Sequence, residues 1–177
     1  MNIFFILILS LLSLSFVSCA DDATRMAETT LATAEDVMDE HPDSALTLLS
    51  DSSFRPVGKR QKALGALLLT QARHKNFIDE TNDSLITTAV NYFESHDDPA
   101  RLMKSLFYQA TLNANATNYP SAMTIAMRAD RIAKNTKDIY WQARIAELMG
   151  TILSETYFYE EAIRGCLIMN VNIREPI

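Results

Sequence analysis

Glycine is scarce in this chain of 177 residues, with four copies, and proline is hardly commoner at five. That scarcity excludes collagen-like and linker-like polymers and turn-rich all-β folds, which spend both residues at their turns. Cysteine occurs only at Cys19 and Cys166, so no framework of several disulfides can hold the fold. Positive charge is in deficit: 16 Lys and Arg against 22 Asp and Glu give a formal net charge of -6. A broad cationic surface for nucleic acid is therefore not expected. Disorder is excluded as well, because 48% of the residues are hydrophobic and 21% are charged. The length suits one domain of ordinary size or a few helical repeats.

No charged side chain precedes Asp21. Ile3 to Leu9 is uninterrupted hydrocarbon, and Leu11, Leu12, Leu14, Phe16 and Val17 extend it between serines. A stretch of about fifteen residues is short of the roughly 20 that span a bilayer but suits the apolar region of a secretory signal. Only Met1-Asn2 precede it, so the α-amino group alone supplies positive charge there.

The apolar run closes on Phe16-Val17-Ser18-Cys19. This resembles the lipobox of bacterial lipoproteins, where a cysteine follows a small residue at the end of the hydrophobic run; Phe16 stands where that family prefers Leu. The resemblance implies that residues 1–18 are a signal peptide cut before Cys19. It also implies a diacylglyceryl group in thioether linkage on the Cys19 thiol, and acylation of the freed amine. A thiolate is the side-chain nucleophile such chemistry needs. Two or more acyl chains anchor a soluble domain stably, so membrane lipid is the partner expected through acylated Cys19. Residues 19–23 would then form a tether at the bacterial cell envelope, in the outer membrane. Asp21-Asp22 leave open whether the domain faces the periplasm or the surface. An ordinary signal peptide with an incidental cysteine is the alternative. With Cys19 lipidated, Cys166 has no disulfide partner and is expected to be a small buried hydrophobe.

From Thr24 onward the apolar period is helical. Ala122, Ile125, Ala126, Ala129, Ile132 and Ala133 form one stripe at i, i+3, i+4, i+7, i+10 and i+11. Leu102, Met103, Leu106, Phe107 and Ala110 form another, as do Leu85, Ile86, Ala89, Val90 and Phe93. Ala143, Ala146, Met149, Ile152 and Leu153 make a fourth. Pro42, Pro56, Pro99 and Pro120 open helical segments, where the missing N–H costs nothing. Asp43-Ser44, Asp83-Ser84 and Asp98 add capping or acidic groups at the same ends. The pattern predicts helices over about 24–39, 43–52, 56–74, 83–95, 99–115, 119–135, 138–155 and 158–169. Short connections would make neighbours antiparallel.

Small residues recur at an interval of 40: Ala110 and Gly150, Ala122 and Ala162, Ala89 and Ala129. A step of helix, turn and helix at constant interval marks a solenoid, with small side chains where helices cross closely. The expected fold is all-α, antiparallel helix pairs stacked as an α-solenoid of about three to four units over residues 24–169. The tail at 170–177 is expected to be irregular.

Ala110, Tyr119-Pro-Ser-Ala122, Ala126 and Ala129 resemble the tetratricopeptide repeat, with its small residue late in the first helix and an aromatic-x-x-Ala at the turn into the second. Gly150 and Tyr159-Glu-Glu-Ala162 repeat the pattern, with Cys166 and Met169 where small residues are usual. The family period is shorter, at 34, and the prolines that end its second helices are missing, with Lys134 in place of one. Together with the lipobox, Glu40-His41-Pro42-Asp43-Ser44-Ala45-Leu46 is similar to the opening of a group of secreted bacterial repeat lipoproteins. No polar capping helix follows Ile163, where Leu167, Ile168, Met169 and Val171 crowd together. The chain is thus read either as a shortened repeat protein or as one whose last edge docks a partner or a second copy.

Catalytic signatures are not found. His41, His74 and His96 have no metal-ligand spacing, and Asp97-Asp98 and Glu160-Glu161 sit at expected helix starts, where the macrodipole explains them. No Gly-x-Ser-x-Gly, phosphate loop or Cys-x-x-Cys occurs. The expectation is no enzyme, no metal and no cofactor. Asp43-Ser44-Ala45 and Asp83-Ser84-Leu85 also look like Asp-Ser-aliphatic acceptors for O-linked glycans at Ser44 and Ser84, although helix capping accounts for them.

Binding remains. The resemblance to tetratricopeptide arrays implies a groove lined by the first helix of each unit. By register that groove holds Lys104, Phe107, Thr111 and Asn115, then Arg144, Glu147, Thr151 and Glu155, with Gln71, His74 and Lys75 from an earlier unit. Mixed charge around Phe107 suits an extended peptide. Tyr140 and Trp141 are read as core. The leading expectation is a lipid-anchored scaffold for a protein or peptide partner. A glycan-uptake lipoprotein and the input half of a longer signalling protein are the alternatives.

Overall fold

The computed structural model describes residues 22–172, with side chains through Tyr157 and at Glu160. The proposed signal peptide and Cys19 lie outside the described residues, and the Cys166 side chain lies outside the described side chains. Among the described residues every regular element is an α-helix: α1 over 22–37, α2 Pro42–Ser50, α3 Gly58–Lys75, α4 Ser84–Ser95, α5 Pro99–Asn115, α6 Tyr119–Thr136 and α7 Ile139–Asn172. No described helix is long and apolar enough to cross a membrane. The chain divides into two compact units, residues 22–79 with 84–96, and residues 80–83 with 97–172.

In the first unit α3 is the central helix. It packs against α2 and α4, and α1 is bonded to it through side chains. Ala63, Leu64, Ala66, Leu67 and Leu68 are all buried, so α3 turns apolar surface in several directions. Helix α1 answers with Ala27, Leu31, Ala34 and Met38, a stripe at i, i+4, i+7 and i+11. Gln61 ties three segments together. Its amide nitrogen donates to the Thr24 carbonyl and to Glu28, each at 3.0 Å, while its oxygen accepts from the Val57 N–H at 2.8 Å. Gly65 sits where α3 passes the Phe54 ring; a methyl there would lie 3.4 Å from it.

The second unit stacks three helices. Asp98 caps α5, its carboxylate accepting from the Arg101 N–H at 3.1 Å, and Pro99 and Pro120 occupy the first turns of α5 and α6. Ala122, Ala126, Ala129 and Ala133 of α6 are fully buried. They present only methyl groups, which lets helix backbones approach closely. Helix α7 packs on both α5 and α6, the contact that propagates a stack of helix pairs. At the end of α5, Asn113 donates to Asp83 at 3.0 Å and Asn115 donates to the Glu80 carbonyl at 3.0 Å.

The helices end in one recurring way. Phe77, Asp97, Thr117 and Lys137 are all left-handed, with φ of 56°, 51°, 57° and 56°, and they stand 20 residues apart. Beyond three of them the next amide reaches back five residues: Ile78 to Arg73, Asn118 to Asn113 and Asp138 to Ala133, at 2.9–3.0 Å. This is the Schellman closure. Each of α4, α5 and α6 with its turn therefore fills 20 residues, and two fill the 40-residue interval.

The sequence pattern needs correction in three places. The helices expected at 138–155 and 158–169 are one helix, α7, so Tyr159-Glu-Glu-Ala162 lies within a helix rather than at a turn. Between Leu153 and Glu161 the chain offers neither Gly nor Pro to stop it. The same helix runs on through residues 170–172, which were expected to be irregular, and α1 already includes residues 22 and 23 of the expected tether. Of the stripe expected on α7, Ile152 is buried and Met149 half-buried, whereas Ala143, Ala146 and Leu153 are exposed; Trp141 and Ile145 share the buried face with Ile152.

Candidate functional site

Helix α5 carries Lys104, Phe107 and Tyr108 on consecutive turns, and α7 begins with Tyr140, Trp141 and Arg144. The start of α7 is fixed by Asp138, whose carboxylate accepts from the Trp141 N–H at 3.1 Å. Packing of α7 on α5 then brings the two sets together. The Phe107 and Trp141 rings meet edge to face, centroids 5.2 Å apart, and Tyr108 lies against Phe107 at 5.1 Å. Phe107 is 3% exposed and Trp141 9%. Such aromatic pairs contribute about 0.5–1.5 kcal/mol beyond the area they bury.

Two cations flank this cluster. Lys104 Nζ lies 5.9 Å from the centroid of Trp141, and the Arg144 guanidinium 5.7 Å from that of Phe107. Ring faces attract cations electrostatically, which restrains two otherwise mobile side chains. Arg144 also approaches Glu147, with 3.7 Å between Nη1 and Oε2. Both partners of that pair are partly solvated, so it stabilises little. Three of the groove residues expected from the sequence, Lys104, Arg144 and Glu147, thus gather on one surface, whereas the fourth, Phe107, is buried rather than lining a groove.

The remaining four on α5 and α7 are placed differently. Thr111 is buried, and its hydroxyl donates to the Phe107 carbonyl at 3.0 Å. Asn115 is exposed and bonded to the Glu80 carbonyl. Thr151 and Glu155 are exposed farther along α7, the Thr151 hydroxyl donating to the Glu147 carbonyl. Gln71, His74 and Lys75 belong to the first unit, at the end of α3, where Lys75 pairs with Asp39 at 3.0 Å.

Trp141 and Tyr140 were read as core. Trp141 is buried, yet its face carries Lys104; Tyr140 is 65% exposed and stands edge-on to Trp141 at 5.8 Å. The signal in the sequence was the spacing: Trp141 precedes Arg144 by three, which puts both on one side of α7. The arrangement offers one ammonium and one guanidinium held over aromatic faces, chemistry suited to carboxylates of an extended chain. Among the described residues no group of three His, Cys, Asp or Glu is placed to hold a metal ion.

Compared with known protein families, with curated proteins and with solved structures, the chain matches none of them.

Proposed function

We propose that this chain is a non-catalytic helical-repeat scaffold, held at the bacterial cell envelope by a lipid on Cys19, that binds an acidic stretch of a protein or peptide. The observation that carries the binding part is the convergence of Lys104 and Arg144, 40 residues apart in the chain, on the paired rings of Trp141 and Phe107. The anchor rests on Ile3–Val17 and the lipobox-like Phe16-Val17-Ser18-Cys19. Restrained cations lose less rotamer freedom on binding than free ones, which is how a small surface gains affinity.

The test is a pull-down of envelope extract with the lipidated protein. A specific protein partner captured by the parent and lost on Lys104→Glu plus Arg144→Glu supports the α5–α7 surface. Capture unaffected by that pair places the site elsewhere. The anchor is tested separately: Cys19→Ser releases the protein from the membrane fraction, and retention there overturns lipidation.

A further inference from the structure

Helices α3 and α4 of the first unit, with Leu49 of α2 and Phe54 and Pro56 after it, border two adjoining open clefts of about 370 and 390 Å³ that share Lys62 and Thr88. Each is of the size that takes a small ligand. The two halves differ in chemistry. One is walled by Leu49, Phe54, Pro56, Leu69 and Leu85, with Gly65 keeping its floor open. The other carries polar groups at its rim, from Lys59, Lys62, Asn91, Ser95 and His96, beside the Tyr92 ring. The exposed His96 ring stacks on Tyr92 with centroids 3.9 Å apart, and its Nδ1 lies 2.8 Å from the Tyr92 carbonyl and 3.0 Å from Ser95 Oγ.

Charge decides what fits. The whole chain bears -6, yet no Asp or Glu is among the residues lining either cleft. Neither Lys59 nor Lys62 is committed to an ion pair with another described residue. Lys59 and Lys62 are both exposed, and two solvated ammonium groups at the rim of an oily trough suit one anionic head joined to one apolar tail.

We infer that the α3–α4 clefts bind an amphipathic monocarboxylate, its alkyl chain against Leu49, Phe54, Leu69 and Leu85 and its carboxylate between Lys59 and Lys62. Asn91 adds an amide donor beside the head. The site is separate from the α5–α7 surface and does not depend on peptide binding there.

Octanoate titrated into the purified chain, followed by amide shifts in ¹H–¹⁵N spectra, tests this. Saturable shifts are expected at Lys59, Lys62, Thr88 and Asn91. Propionate, which lacks the tail, and octylamine, which reverses the head, are each expected to bind at least about tenfold more weakly. Lys62→Glu removes the head contact, and Thr88→Trp plugs the junction at an exposed position. Each is expected to weaken octanoate about tenfold while thermal unfolding stays that of the parent. Equal binding of octylamine, equal binding of propionate, or octanoate binding unchanged in Lys62→Glu overturns the inference. So does an acidic peptide that saturates these amides where octanoate does not.

Discussion

Thr117 and Lys137 share one backbone conformation, φ 57° and 56°, at the ends of two successive helices. A left-handed residue costs an L-amino acid with a Cβ about 1–2 kcal/mol, and the cost is steepest for a β-branched side chain such as threonine. Glycine has no such penalty but loses more entropy on folding. Thr117→Gly and Lys137→Gly are each expected to stabilise the fold by about 0.5–1 kcal/mol, a rise of a few degrees in Tm. Glycine at Ala116, the C-cap of α5 with φ -78°, has no such strain to relieve. Thermal unfolding by circular dichroism checks the sign, and a fall in Tm for Thr117→Gly argues against the closure described.

The register of α7 is open to a direct contrast. Ile145 is 0% exposed, so Ile145→Ala is expected to cost about 2–4 kcal/mol in lost transfer and cavity energy. Its neighbour Ala146 is exposed, and Ala146→Glu is expected to stay within about 0.5 kcal/mol of the parent. Chemical denaturation of the two variants decides. The reverse order would restore the stripe of Ala143, Ala146, Met149, Ile152 and Leu153 read from the sequence.

Gln61 and Arg60 are adjacent but unequal. The Arg60–Glu28 pair, at 2.7 Å, is half exposed on both sides, whereas the Gln61 amide is buried and fully used. Arg60→Leu is expected to cost at most about 1 kcal/mol. Gln61→Leu strands polar groups of α1 and of the turn before α3, and is expected to cost about 1–3 kcal/mol. Equal losses for the two in urea would remove Gln61 as the tie between α1 and α3.

Asp51, beyond the end of α2, accepts from Ser53, whose amide nitrogen lies 2.6 Å from Oδ1. The hydrogen bonds from the Ser53 side chain and backbone hold its carboxyl below the ordinary 3.8. A depressed folded value means the contribution is present above the unfolded value and disappears as pH falls through the folded one. The group is fully solvated, so its effect is local. A carboxyl-carbon NMR titration should place its midpoint below 3.8, and Ser53→Ala should move the midpoint upward. A midpoint unmoved by Ser53→Ala removes the cause assigned.

Much of the helical layout was legible because its signals are local. Pro99 behind Asp98, and Pro120 behind Tyr119, announce the starts of α5 and α6, and the alanine stripe of α6 is buried as its period implies. Helix α7 misled because it is apolar on more than one side: Ala143, Ala146, Met149, Ile152 and Leu153 make as regular a stripe as Trp141, Ile145 and Ile152, and the two share Ile152. Only the partners on α5 and α6 choose between them. The turns were hidden for another reason. Left-handed closures are usually written with glycine, and here they carry Phe, Asp, Thr and Lys. Lys104 and Arg144 could be placed by register, but their aromatic partners needed the α5–α7 contact, which no local pattern encodes. The α3–α4 clefts were likewise invisible, since Lys59 and His96 are 37 residues apart.

Helix α1 is already formed at Asp22. With lipid on Cys19, only Ala20 and Asp21 would separate the acyl attachment from a rigid rod. Three backbone steps reach about 10 Å at full extension, so the domain would ride at headgroup level instead of swinging on a long leash. Any ligand would then have to come to the bilayer surface to be caught, and a ligand that itself resides in that surface would be found by a two-dimensional search.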